Sequence, residues 1–275
     1  MMKSKLKHFM KRLFRTISKT EMTFLPGQLA FFFVLSVIPL IALFGSIASS
    51  FGVTTDAIIN LLDSILPHAV LELLVPIISG EEMNFNVAIF YISAFLLASN
   101  GTHSMIIASN TIYKIKNEDY LSRRIKALLM TIILVSLLLF VIIVPAFGDK
   151  IVGMLISFVK SNIVANNIIN LYNILKYPFS FLLIYFCIKL LYVIAPDKTI
   201  KSSSTTTGSL VTAIGWMIAT EIYSIYVDVF ARYNIFYGSL SNILILLLWV
   251  YILAYIFMLG MALNSEYVVK EEEDA

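Results

Sequence analysis

The residues best able to do chemistry are ionisable groups set inside long apolar runs, where a charge is costly and so implies a role. Glu221 and Asp228 lie seven apart within 207–230 with Ser224 between them, so a helix carries all three on one face and continues it to Arg232. Counted from the inner end of that run, Glu221 falls near mid-bilayer and Asp228 near the outer surface. A second run contains Ser-Asn-Gly-Thr-His-Ser at 99–104, placing Asn100 and His103 at depth, and a fourth contains Lys189. One reading joins these into a polar pathway, with Glu221 binding a cation or proton, His103 titrating near neutrality and Lys189 as charge partner to Glu221. The other is structural: a Glu–Lys pair and amide and hydroxyl contacts hold the helices together, or Lys189 simply snorkels towards the inner surface. Both stand on sequence alone.

Enzymatic chemistry finds little footing. The chain has no GxSxG elbow, P-loop, HExxH or dinucleotide fingerprint. His8, His68 and His103 fall in three different compartments, and the single cysteine, Cys187, lies in an apolar run, so neither a disulfide nor a Cys/His metal site is available. No enzyme, cofactor, metal or nucleic-acid partner is expected.

The elements that position these residues are membrane spans. Hydrophobic residues make up 59% of the 275 and charged residues 13%, against about a quarter charged in soluble domains. A hydrocarbon core needs about 20 mainly apolar residues per helix. Six stretches meet this: 28–50, 86–109, 127–147, 174–195, 207–230 and 240–264. The expected fold is therefore an all-α, six-span membrane bundle over 28–264, between a basic amphipathic segment at 1–27 and an acidic tail at 265–275. Fifteen of the 20 Lys and Arg fall in the head, the even connections and the tail, which places both termini in the cytoplasm. The head is long for a signal peptide, and its span reads as retained.

Two kinds of amphipathic segment accompany the spans. In the head, Leu6, Met10, Leu13 and Ile17 form an apolar stripe, while Lys3, Lys5, Lys7, Lys11, Arg12 and Arg15 face anionic lipid on the inner leaflet. Outside, 56–79 and 151–159 read as short interfacial helices. Pro39 implies a kink in the first span, and Trp216 and Trp249 read as packing residues. On 207–230, Gly208, Thr212, Gly215 and Ala219 make a small face opposite the acids, which points to that helix as the bundle centre. The leading functional expectation is a permease, the alternative a non-transporting scaffold or lipid-interacting envelope protein. Either is compatible with an oligomer.

Gly208-Ser209-Leu210, Gly215-Trp216, Tyr226-Val227, Tyr237-Gly238-Ser239-Leu240, Trp249 and Gly260-Met261-Ala262-Leu263-Asn264 resemble the YihY/BrkB family of bacterial inner-membrane proteins. Gln28-Leu29-Ala30-Phe31-Phe32-Phe33 with Ser36-Val37-Ile38-Pro39 is similar to that family's opening helix. The resemblance covers nearly the whole chain and implies six spans in a bacterial plasma membrane, with a transport role and no agreed substrate. Members have also carried a tRNA-processing ribonuclease label, generally regarded as mistaken. Metal-dependent hydrolysis needs a cluster of His and Asp ligands that no cytoplasmic segment here supplies.

Overall fold

The computed structural model describes the backbone of residues 11, 13–50, 56, 59–60, 85–158, 162–230 and 241–273, with most side chains outside 37–50, 85–91, 138–151, 227–230 and 267–273. Six long helices carry it: α1 Glu21–Ser50, α2 Phe85–Tyr113, α3 Tyr120–Ser157, α4 Asn162–Ile194, α5 Thr206–Phe230 and α6 Ser241–Glu273. Lys3, Lys5, Lys7, Arg12, the Tyr237-Gly238-Ser239 turn and most of 56–79 lie outside the described residues.

Several helices outrun the apolar stretches that mark them. Residues 21–27, grouped with the head from sequence, open α1; 151–157, expected as a separate interfacial helix, continues α3; and α6 runs on through most of the acidic tail. Hydropathy locates the hydrocarbon crossing, whereas helix propagation adds a hydrogen bond per residue and need not end where lipid does. The α1 backbone is likewise helical through Pro39.

α1 and α2 form one packed pair and α5 and α6 another; α6 also packs on α1 and α2, while α3 and α4 continue the chain from α2 round to α5. The central helix is thus α6, not α5 as the small face of α5 suggested. Ala254, Phe257, Met258, Met261, Ala262 and Leu263 of α6 are all buried. α5 uses its small face on α6, and its far side, with Ile214, Met217, Ile218 and Ile222, is exposed. A small face licenses one close neighbour; centrality needs several.

The α5–α6 contact is close because Gly208 and Gly260 oppose each other. A Cβ on Gly208 would collide with the Gly260 carbonyl and the Asn264 side chain; one on Gly260 would collide with Thr212 Oγ1, the Tyr192 hydroxyl and the Gly208 carbonyl. Asn264 Oδ1 accepts from the Gly208 amide at 2.7 Å. That amide is among the first donors of α5, which have no partner within their own helix, so α6 caps α5 from the side. Tyr192 of α4, fully buried, shares a hydrogen bond with Thr212 Oγ1 (2.7 Å) and donates to the Phe257 carbonyl (2.6 Å). Trp216 donates its Nε1–H to the Leu253 carbonyl at 2.9 Å, and it and Trp249 pack on the core, as packing residues should.

The exterior is apolar. Ile92 (63% exposed), Leu129, Ile174, Phe186 and Ile222 all face outward, which suits hydrocarbon as solvent. Among the described residues, Leu246–Glu266 is long and apolar enough alone to cross a bilayer, with mean hydropathy 2.3.

Replacing Gly260 by Ala should lower the thermal stability of the detergent-solubilised protein by about 1–3 kcal/mol, because the α5 backbone must shift to admit a methyl group. Gly153, which has open space around it, serves as the control: Gly153→Ala should leave the melting temperature unchanged or raise it. Equal melting curves for Gly260→Ala and the parent would refute the close α5–α6 contact.

Candidate functional site

Two clusters of polar side chains involve the α2–α3 hairpin. α2 ends by letting Lys114 take a left-handed conformation (φ 55°), and the Ile115 amide then donates to the Asn110 carbonyl at 2.8 Å. This turn holds Asn110 in place. Asn110 Nδ2 donates to Asn117 Oδ1 and to Asp197 Oδ2, and its Oδ1 accepts from the Asp197 amide at 2.9 Å. Lys126 of α3 completes the knot, donating to the Ala195 carbonyl (3.0 Å), the Pro196 carbonyl (2.6 Å) and Asp197 Oδ1 (2.8 Å). The lysine therefore places its charge against the carbonyl end of α4, the favourable sign for a helix C-terminus. Burial works against ionisation of Asp197, but the hydrogen bonds from Lys126 and Asn110, the Lys126 charge and the Glu118 amide outweigh it and hold the carboxyl below the usual range.

The second place is a groove on an exposed side of the hairpin. Leu96, Asn100 and His103 line one stripe of α2, at i, i+4 and i+7; Tyr120 and Arg124 line α3 at i and i+4. Arg124 reaches across, Nη1 donating to Asn100 Oδ1 and Nη2 to the Leu96 carbonyl, both at 2.9 Å. The His103 ring meets Tyr120 edge-on, centroids 5.8 Å apart. Two buried nitrogens here have no hydrogen-bond partner, His103 Nδ1 and Arg123 Nε. Below the groove, Thr102 Oγ1 joins Thr131 Oγ1 and the Ala127 carbonyl, both at 2.8 Å, so the hairpin is locked beneath its own polar surface.

Of the candidates read from sequence, the structure brings Asn100 and His103 together, as the run 99–104 implied. It does not bring them to the others. Lys189 donates to Thr206 Oγ1 (3.1 Å) at the start of α5 and lies over the Tyr185 ring. Glu221 is exposed on the outside of α5, fifteen residues or about 22 Å along the helix from Thr206, so Lys189 is not its partner. The Asp228 side chain lies outside the described residues. In the head, Arg15 and Lys19 both pair with Glu266 at 3.3 Å, tying the segment to α6. Arg124 was counted from sequence only as a cytoplasmic loop charge; the signal that marks it is its place one turn inside an apolar helix with Tyr120 four residues before.

An all-helical bundle with an apolar exterior is the architecture of a helical membrane protein. Residues 13–275 match the family model described as Virulence factor BrkB, and the chain belongs to that family. It is 26% identical to the putative ribonuclease-like protein YfkH of Bacillus subtilis, over 94% of each chain. It is 26% identical to a UPF0761 membrane protein of Vibrio parahaemolyticus, over 92% of this chain and 79% of that one. A UPF0761 membrane protein of Haemophilus influenzae is 24% identical over 94% and 95%. No solved structure matches.

The knot yields a prediction about pH and stability. Without Lys126, Asp197, its side chain 1% exposed, keeps the Asn110 and Glu118 hydrogen bonds but loses its counter-charge, so Lys126→Ala should cost about 1–3 kcal/mol of stability at neutral pH. Because the folded carboxyl titrates below its unfolded value, the protein binds fewer protons folded than unfolded in that window. The stability from Asp197 is therefore complete above the unfolded value of about 3.9 and lost only as pH falls through the lower folded value. Asp197→Asn should flatten the acid limb of a melting-temperature profile; an unchanged limb would show that the carboxylate is not held in this network.

Proposed function

We propose that this protein is a six-span permease of the bacterial plasma membrane with both termini in the cytoplasm, and that the α2–α3 groove is its substrate contact. The observation that carries the reading is Arg124, a permanent charge that reaches across to α2 and is met by neutral oxygens, Asn100 Oδ1 and the Leu96 carbonyl. A protein pays for such a group where a solute must be recognised. The path of the sequence reading narrows accordingly: Asn100 and His103 remain, with Arg124 added, while Lys189 and Glu221 lie apart from them. The orientation rests on the Lys and Arg distribution, and the bilayer setting on the apolar exterior and on relatives named as membrane proteins.

The non-transporting, lipid-interacting alternative is favoured by one fact, that the groove lies on the outside of the hairpin rather than in the bundle centre. A ribonuclease is not part of the proposal: the name of the Bacillus relative describes that protein, and His8, His68 and His103 fall in three separate stretches of the sequence.

Reconstituted in sealed vesicles and screened against anions and amphiphiles, the protein should move at least one class faster than protein-free vesicles do. Arg124→Gln should cut that flux about tenfold or more with the melting temperature retained, and Glu221→Gln should leave it within about twofold. Flux in Arg124→Gln equal to the parent would remove the groove from the transport route; no flux in any class would favour the scaffold.

A further inference from the structure

We infer that the α2–α3 groove is a binding site for an anionic phospholipid, its phosphate held by Arg124 and its acyl chains lying along the exposed apolar walls. The inference rests on the permease reading for the choice of site and names the ligand class that site takes. A guanidinium has five N–H donors and cannot shed its charge. Two donors of Arg124 are accounted for by Asn100 and Leu96, both neutral, and among the described residues no carboxylate lies within ion-pair distance of it. The acids nearest in sequence are otherwise placed. Glu118 accepts from Ser122, and Asp119 precedes the first turn of α3, where a negative charge is favourable. Asp197 is committed to Lys126 and Asn110. The groove is therefore short of negative charge.

It is also short of acceptors. Arg123 Nε is a buried donor without a partner, and His103 Nδ1 is a second buried nitrogen whose hydrogen bond is unmade. A phosphate brings several strong acceptor oxygens and pairs with arginine in a forked geometry that a lysine cannot offer. The Tyr120 hydroxyl, on a side chain 65% exposed beside His103, adds a further donor at the rim.

The walls decide between a free anion and a lipid. Ile92 and Leu96 on α2 and Ile125, Leu129 and Ile132 on α3 are all more than two-fifths exposed. A soluble anion would satisfy Arg124 and leave those side chains as they are. An amphiphile satisfies the charge with its head and covers the walls with its tails, each in the environment it prefers. The orientation adopted above opens the site to the inner leaflet, where anionic lipids are at hand.

The test uses the full-length protein in a neutral detergent, titrated with a fluorescent short-chain phosphatidylglycerol, the matching phosphatidylcholine, and inorganic phosphate. Phosphatidylglycerol should bind about tenfold tighter than phosphatidylcholine. Arg124→Gln should abolish that preference, Arg124→Lys should restore part of it, and Lys114→Gln, at an exposed charge just past the C-terminal end of α2, should leave it intact. Melting curves that match the parent establish that each variant is folded. Equal affinity for the two lipids, or equal loss in Lys114→Gln and Arg124→Gln, overturns the site. Inorganic phosphate that binds as tightly and displaces the lipid overturns the lipid assignment in favour of a soluble anion. Headgroup-selective binding without flux in the vesicle assay sustains this inference and defeats the permease reading, so the two fail separately.

Discussion

The fold depends on how closely α5 can approach α6. In hydrocarbon no hydrophobic drive pushes helices together, so association must come from packing and from hydrogen bonds made between helices. Both are present where Gly208 and Gly260 meet. The absent side chains let the backbones approach, and Asn264 then satisfies the α5 amide that approach would otherwise bury unpaired. Tyr192 adds a third helix by bridging Thr212 and the Phe257 carbonyl. Once α6 is fixed on that side, its remaining faces hold α1 and α2, and the position of α2 determines where the α2–α3 groove opens.

The groove is rigid for a separate reason. Thr102, Thr131 and the Ala127 carbonyl lock the hairpin beneath it, and the Lys126–Asp197–Asn110 knot ties its inner end to the end of α4. Arg124 therefore presents its guanidinium from a frame fixed at two points. A long flexible side chain gains selectivity when its stem is held, because less freedom remains to be lost when a ligand arrives.

Composition and hydropathy made the helical membrane class legible, and the small face of α5 announced a close contact before any coordinates. What stayed hidden depends on pairing between distant segments. Asn264 belongs to a recognisable motif, yet nothing in its neighbourhood says that its oxygen caps a helix 56 residues earlier. Lys126 counts from sequence only as a loop charge, because its partner Asp197 lies 71 residues away and is itself held by Asn110 at a separation of 87. The centrality of α6 was missed because one small face shows a contact but not how many neighbours share a helix. Helix ends were misplaced because hydropathy reports where lipid begins, and a helix has no reason to stop there.

Glu221 and Arg124 both stand on the outside of this bundle, and their chemistry separates their roles. A carboxylic acid facing hydrocarbon can give up its charge by taking a proton, after which it costs little more than any polar group. A guanidinium has no such escape. Glu221 is exposed on α5 among Ile214, Met217, Ile218 and Ile222, apart from Asn100 and His103. Arg124 must be compensated by something negative, and among the described residues its hydrogen-bond partners are an amide oxygen and a carbonyl. The stronger functional constraint lies with the group that cannot be neutralised, on the hairpin rather than on the helix where the acids drew attention.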